Sequence, residues 1–179
     1  MKNLILLALL STAFSCEVVT DHRTRPKISG DIHTEPCTNR GTILLVESSS
    51  RIMHLCKDNN VDNTYFVGLG ENGVGKKIQG DKKTPIGRYT LGKPRASIGG
   101  FNIFIHVGYP TRAQRKQGYT GGLIGVHGPQ RDWKEYPEEY NVYGTQDWTL
   151  GCIAVGADED IEEISRWVNE NEVRTIVIE

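Results

Sequence analysis

Short apolar runs, each cut off by glycine, proline or a polar turn, fill the middle of this chain and limit the folds open to it. They fall at 42–47, 51–57, 65–69, 87–91, 101–107 and 123–127, with a last one at 175–178. Aliphatic and β-branched residues fill them, so they read as strands. Ser48, Ser49 and Ser50 between the first two predict a hairpin, and Asn59, Asn60, Asp62 and Asn63 predict a further turn before the strand at 65–69. This spacing favours a mainly β fold, a mostly antiparallel sheet or sandwich, over a parallel α/β sheet. The 20 glycines fit a chain with many turns. One short helix is expected near the C-terminal end. Asp158, Glu159 and Asp160 supply acids to its first turn, where the helix dipole favours them. Ile161, Ile164 and Val168 then form a core-facing stripe, and Asn171 ends it.

At 179 residues the chain is the size of one domain with a core. Its net charge of -1 excludes the strong basic bias of a nucleic-acid binder, so no nucleic-acid partner is expected. The first residues have another character. Lys2 precedes an apolar run at 4–10, and Ser11, Thr12, Ala13 and Ser15 follow. That is the pattern of a secretory signal, here assigned to 1–16, and the run falls short of the roughly 20 residues a membrane helix needs. The expected location is periplasmic or otherwise extracytoplasmic. Cys16 directly follows this segment and reads either as a lipid-bearing residue that attaches the protein to a membrane or as a neighbour of an ordinary cleavage site. Residues 17–40 are polar, contain Pro26, Gly30 and Pro36, and read as a leader ahead of a domain at 41–179.

Four cysteines are present: Cys16, Cys37, Cys56 and Cys152. In an oxidising compartment Cys37 and Cys56 are able to pair, leaving Cys152 as a free thiol; the alternative is that all are small buried hydrophobes. A near-match to a phosphate-binding loop at 70–77 (GENGVGKK) ends in Lys77 where a magnesium-binding hydroxyl is needed, and reads as a glycine-rich turn. The histidines are scattered, and spacing gives no support to a metal site from His106, His127 and Cys152, so no metal is expected.

Two segments carry chemistry. In 147–155 (DWTLGCIAV), Gly151 lets the backbone before Cys152 adopt angles other residues resist and aim nearby amides at a carbonyl oxygen. In 124–129 (IGVHGP), His127 stands at the end of an apolar strand before a Gly-Pro break. An unperturbed thiol has a pKa of about 8.5, and an adjacent imidazole takes its proton or lowers that value. Cys152 as nucleophile with His127 as base is therefore one reading, and a buried cysteine beside a satisfied strand histidine is the other.

Residues 80–89 (GDKKTPIGRY), His127-Gly128 and 149–152 (TLGC) together resemble the L,D-transpeptidase (YkuD-like) catalytic domain. That family carries a G-D-x-x-T-P-x-G-x-[FY] strand entry, a downstream H-G and an [ST]-H-G-C-x-[NR] nucleophile motif. The resemblance runs over 42–179 in matching order. It implies a β-rich, sandwich-like domain that works without cofactor on peptidoglycan stem peptides. Cys152 would attack a meso-diaminopimelate carbonyl of a stem tetrapeptide, D-alanine would leave, and an amine or water would resolve the thioester. His127 would be the base, oriented by the Gly128 carbonyl. Gly151 and Cys152 would offer oxyanion amides, with the Thr149 hydroxyl nearby. Asp81, Thr84 and Pro85 would shape the fold. Leu150 replaces the family's histidine and Ala154 its Asn or Arg, and the gap from His127 to Cys152 is longer than usual. That gap holds Asp132, Trp133, Glu135, Tyr136, Glu138, Glu139, Tyr140, Tyr143 and Trp148, which read either as a lid over the cleft or as a pinned surface loop. Arg112, Arg115 and Lys116 read as a solvated basic stretch, with stem-peptide carboxylates as the competing reading.

Overall fold

The computed structural model describes residues 36–97, 99–130 and 146–179. The signal segment at 1–16 with Cys16, the leader up to residue 35, and the aromatic and acidic residues at 132–143 lie outside the described residues. Among those described, no helix is long and apolar enough to cross a membrane.

Nine strands form one sheet: β1 (Ile43–Glu47), β2 (Ile52–Lys57), β3 (Asn60–Gly68), β4 (Gly87–Thr90), β5 (Arg95–Ala96), β6 (Ile103–His106), β7 (Gly125–His127), β8 (Ile153–Val155) and β9 (Thr175–Ile178). Their order across the sheet is β4-β9-β1-β2-β3-β8-β7-β6-β5. Most neighbours are antiparallel, as the spacing of the runs predicts. The β1–β9 and β7–β8 pairs are parallel, and each joins strands too far apart in sequence for a tight hairpin. The two ends of the order meet. Leu91, just past β4, bridges Val107, just past β6, and the Gly108 amide donates to the Thr90 carbonyl at 2.9 Å. The sheet thus curls, and the inner faces of its two halves share one core.

That core takes alternate residues of each strand, as a pleated sheet requires. Leu44, Val46, Met53, Leu55, Ile105, Val126, Ile153, Ile176 and Ile178 are all buried in it. The helix α2 (Asp158–Glu170) adds Ile161, Ile164 and Val168, each worth about 1.5–3 kcal/mol relative to exposure. Its acidic first turn stands as the sequence predicts, on Ala157 as N-cap.

Several boundaries differ from the sequence reading. β3 begins at Asn60, five residues early, because Asp58 and Asn59 alone make the turn, both with positive φ (49° and 70°). This is the two-residue hairpin geometry whose twist matches its strands. The basic stretch contains a short helix, α1 (Arg112–Lys116), opened by a capping box between Thr111 and Gln114. The end of the leader belongs to the domain. Cys37 is disulfide-bonded to Cys56 and packs with Ile43 and Leu45, while Arg40 donates twice to the Glu179 carboxylate, at 2.9 and 2.7 Å.

Candidate active site

The parallel pairing of β7 with β8 brings the two chemical segments together. His127, the last residue of β7, sits in register with Ala154 of β8, and Cys152 immediately precedes β8. The apolar strand residues Val126 and Ile153 are fully buried and fix this register from below. Cys152 is half-buried and free, and its thiol donates to the Leu123 carbonyl, Sγ to O 3.6 Å.

The turn carrying Cys152 is held by two buried threonines. The Thr149 hydroxyl donates to the Cys152 carbonyl at 2.8 Å and accepts from the Gly151 amide at 3.0 Å. The Thr84 hydroxyl accepts from the Gly70 amide at 2.8 Å and donates to the same Cys152 carbonyl at 3.3 Å. Both oxygen lone pairs of that carbonyl are thereby engaged. The Thr149 hydroxyl and the Gly151 amide are thus both bonded within the turn. What Gly151 contributes is conformation: its φ is +128°, and a Cβ there would stand 2.6 Å from the Lys83 carbonyl oxygen.

The segment before the turn is pinned too. Asp147 accepts two hydrogen bonds from the Arg51 guanidinium, at 2.9 and 2.7 Å, and one from the Leu69 amide at 3.1 Å. The Trp148 and Thr149 amides both donate to the Leu69 carbonyl.

Residues 70–84 form the opposite wall, and the glycine-rich turn expected there is what the chain makes. A Cβ at Gly70 would stand 2.4 Å from the Lys82 carbonyl oxygen, so the backbones pack directly. Asp81 fastens the loop by accepting from the Lys76 ammonium at 2.7 Å and from the amides of Lys77, Ile78 and Lys83. Burial alone would raise this carboxyl. The ammonium and the amides outweigh it and hold Asp81 well below the usual carboxylate range. Asp81 and Thr84 therefore shape the loop, as expected of them.

His127 is 1% exposed. Its Nδ1 lies 2.6 Å from the Gly128 carbonyl oxygen. A carbonyl only accepts, so Nδ1 carries the proton and Nε2 is the free basic nitrogen. The Phe101 ring stacks on the imidazole, with centroids 3.7 Å apart and planes 20° apart. Phe104, its cross-strand partner on β6, lies nearly parallel at 6.3 Å, and Trp148 approaches edge-on at 5.7 Å.

This enclosure sets the protonation states. Burial pushes the His127 imidazole down to about 4, opposed by its bond to the Gly128 carbonyl. Burial pushes the Cys152 thiol up to about 11, opposed by the Gly125 amide and the Lys76 ammonium. Both groups are neutral near pH 7, in agreement with a thiol that donates to a carbonyl. The sequence reading allowed the imidazole either to take the thiol's proton or to lower its pKa. At rest the thiol pKa is raised, because burial outweighs the amide and the ammonium that favour the thiolate.

Around the thiol the rim is apolar. Leu123 is 83% exposed and Leu150 70% exposed. The Leu150 side chain offers no hydrogen bond. Ala154 is fully buried in β8. Among the described residues, no group of three or more His, Cys, Asp or Glu side chains is arranged to hold a metal ion. Phe101, Phe104, Leu123 and Asp147 were not singled out from sequence. Phe104 was findable in principle as the cross-strand neighbour of His127, whereas Phe101 and the Leu123 carbonyl carry no local signal.

A model of the L,D-transpeptidase catalytic domain (YkuD) matches residues 41–178. No curated protein matches by sequence. Among solved structures, the helical cell shape determining protein Pgp2 from Campylobacter jejuni is 26% identical, with a TM-score of 0.61. The likeness covers 76% of this chain and 46% of Pgp2, so the chain spans less than half the length of that relative. Bd1075 from Bdellovibrio bacteriovorus is 18% identical with a TM-score of 0.52, covering 76% of this chain and 47% of that one, a likeness of fold.

Proposed function

Since this chain belongs to the L,D-transpeptidase catalytic domain family, we propose that it is a peptidoglycan L,D-transpeptidase that works through a thioester on Cys152 and remodels the cell wall outside the cytoplasm. The observation that carries this reading is the juxtaposition of His127, with a free Nε2, and the rigid Cys152 turn on adjacent parallel strands. The Cys37–Cys56 disulfide supports an oxidising compartment. The likeness to Pgp2, described as determining helical cell shape, supports a role in wall architecture.

In the first step Cys152 Sγ bonds to the carbonyl carbon of the diaminopimelate residue while its proton passes to Nε2 of His127. The Cys152 amide stabilises the oxyanion. The C–N bond to D-alanine then breaks, and His127 returns the proton to the leaving amine, giving a neutral thioester. An acceptor amine next loses a proton to His127 as it attacks, the C–S bond breaks, and the thiol is restored. A neutral resting pair suits this sequence, because the base is already deprotonated and the nucleophile is activated only as the bond forms.

Leu150 favours a second reading in which water replaces the acceptor amine. Exposed two residues before the nucleophile, the Leu150 side chain offers neither a hydrogen bond nor a charge to hold an incoming amine. The product would then be a tripeptide and the enzyme an L,D-carboxypeptidase. Incubation with purified disaccharide-tetrapeptide, followed by mass analysis of products, separates the two. Cross-linked dimer supports transpeptidation, tripeptide alone supports hydrolysis, and unchanged substrate contradicts both. Membrane attachment through a lipidated Cys16 belongs to the same proposal and is tested by metabolic labelling with a fatty-acid analogue.

A further inference from the structure

The imidazole of His127 is covered on one face by a ring that the catalytic motifs do not contain. Phe101 lies in the turn between β5 and β6, where the Ser97 amide donates to the Asn102 carbonyl at 3.1 Å and the Gly99 amide to the Ser97 hydroxyl at 3.0 Å. Gly100 just before it has a φ of +86°, which lets the chain reverse and bring the ring back over the sheet. The turn is not left to itself. Asn102 donates from its side-chain amide to the Glu162 carboxylate on α2 at 2.7 Å. The helix therefore fastens the turn that carries Phe101, and the ring rests 3.7 Å from the imidazole with the two planes 20° apart.

We propose that Phe101 is a positioning residue for His127: fastened through Asn102 to Glu162, it holds the imidazole in one plane and keeps water off its face. The inference deepens the reading of His127 as the general base and rests on that reading for its consequence in catalysis. The Nδ1 bond to Gly128 fixes one edge of the ring but leaves rotation about that bond open; a face-to-face stack closes that freedom. A base that must accept a proton from a neutral thiol needs its nitrogen held within hydrogen-bond reach of the sulfur, so loss of ring orientation acts directly on the rate.

The low basicity of the ring comes from burial, to which this stack contributes. Among the described residues, Phe104 from β6 and Trp148 from the segment before the nucleophile turn also face His127. At the start of α2 the Asp158 carboxylate lies against Gly128, where a Cβ would stand 3.2 Å from its Oδ1. Burial pushes the imidazole down to about 4, opposed by its bond to the Gly128 carbonyl.

The test uses the full chain and two readouts. The His127 ring protons are followed by NMR against pH in the parent, Phe101→Ala, Phe101→Tyr and Asn102→Ala, with His127→Gln identifying the signal. Cys152 acylation is measured across the same pH range. In Phe101→Ala the imidazole titration should move up by at least a unit, a tenfold gain in proton affinity, and the acid limb of acylation should move with it. Phe101→Tyr should restore both, and Asn102→Ala should fall between. A Phe101→Ala protein that is folded and titrates like the parent overturns the proposal, as does a Phe101→Tyr protein no better than Phe101→Ala. The titration needs no substrate. A failure of the transpeptidase reading would therefore show as absent acylation beside a shifted titration, and a failure of this inference as an unshifted titration.

Discussion

Replacing Gly151 by alanine adds one methyl group and tests whether the nucleophile turn must have the shape described. The added Cβ would stand 2.6 Å from the Lys83 carbonyl oxygen and 3.2 Å from Ile124 Cδ1, and Gly151 sits at a φ of +128°. Carbon and oxygen come no closer than about 3.2 Å without strain, so something has to move by about 0.6 Å. The Lys83 backbone cannot give way easily. Its own amide bonds to Asp81, and the next residue, Thr84, bonds to the Gly70 amide and the Cys152 carbonyl. The turn moves instead and carries the sulfur with it. The unfavourable φ adds about 1–3 kcal/mol of destabilisation. A displacement approaching 1 Å costs on the order of 100-fold in rate. Gly151→Ala should therefore fold, melt about 3–10 °C lower, and acylate on the order of 100-fold more slowly. Thermal melts and single-turnover acylation read these two effects separately. A folded variant that acylates within about threefold of the parent would refute the claim that turn geometry positions the thiol.

Thr149→Val removes the hydroxyl that bridges Gly151 and Cys152 and leaves a buried amide unpaired, so it should cost about 1–3 kcal/mol and slow acylation, with Thr149→Ser restoring most of both; urea melts and single-turnover rates check this. His127 titrates near 4 in the fold against about 6.5 in an unfolded chain, so the unfolded chain takes up the proton first as pH falls. Stability should drop between about pH 6.5 and 4 by roughly 3 kcal/mol, and a His127→Phe variant should lose correspondingly less over that range in denaturant titrations. The Cys37–Cys56 disulfide spans a sequence separation of 19, and chain-entropy arithmetic gives it about 3 kcal/mol. Cys37→Ser/Cys56→Ser should therefore melt roughly 6–12 °C lower by calorimetry while its acylation rate per folded molecule stays unchanged.

What could be read from the sequence follows the range of each interaction. Strands β1, β2 and β9 and the helix α2 were visible because alternation and helical spacing are properties of a few adjacent residues. The early start of β3 was missed because several turn-forming residues are clustered there. Which of them make the turn depends on the register with β2, where pairing resumes at Lys57 and Asn60. The helix α1 hid behind its charges, although Thr111 and Gln114 stand at capping-box spacing. β5 exists only because β6 offers it a partner. At the site, Cys152 and His127 were named from the motifs, but their meeting depends on a parallel pairing across a gap that no local pattern encodes. The bonding of the Thr149 hydroxyl was not legible for a related reason. A hydroxyl near a nucleophile is chemically free to face either the substrate or the backbone, and only the fold of the turn decides. The direction of the thiol shift also depends on tertiary burial, which no local pattern encodes.

The most direct test of the central claim is the intact mass of the protein after brief mixing with disaccharide-tetrapeptide, with Cys152→Ala in parallel. The account predicts that the parent gains the mass of the substrate less D-alanine, as an adduct that hydroxylamine removes, and that Cys152→Ala gains nothing. An adduct of the same mass on Cys152→Ala, or release of D-alanine by that variant at the parent's rate, would contradict a thioester at this residue.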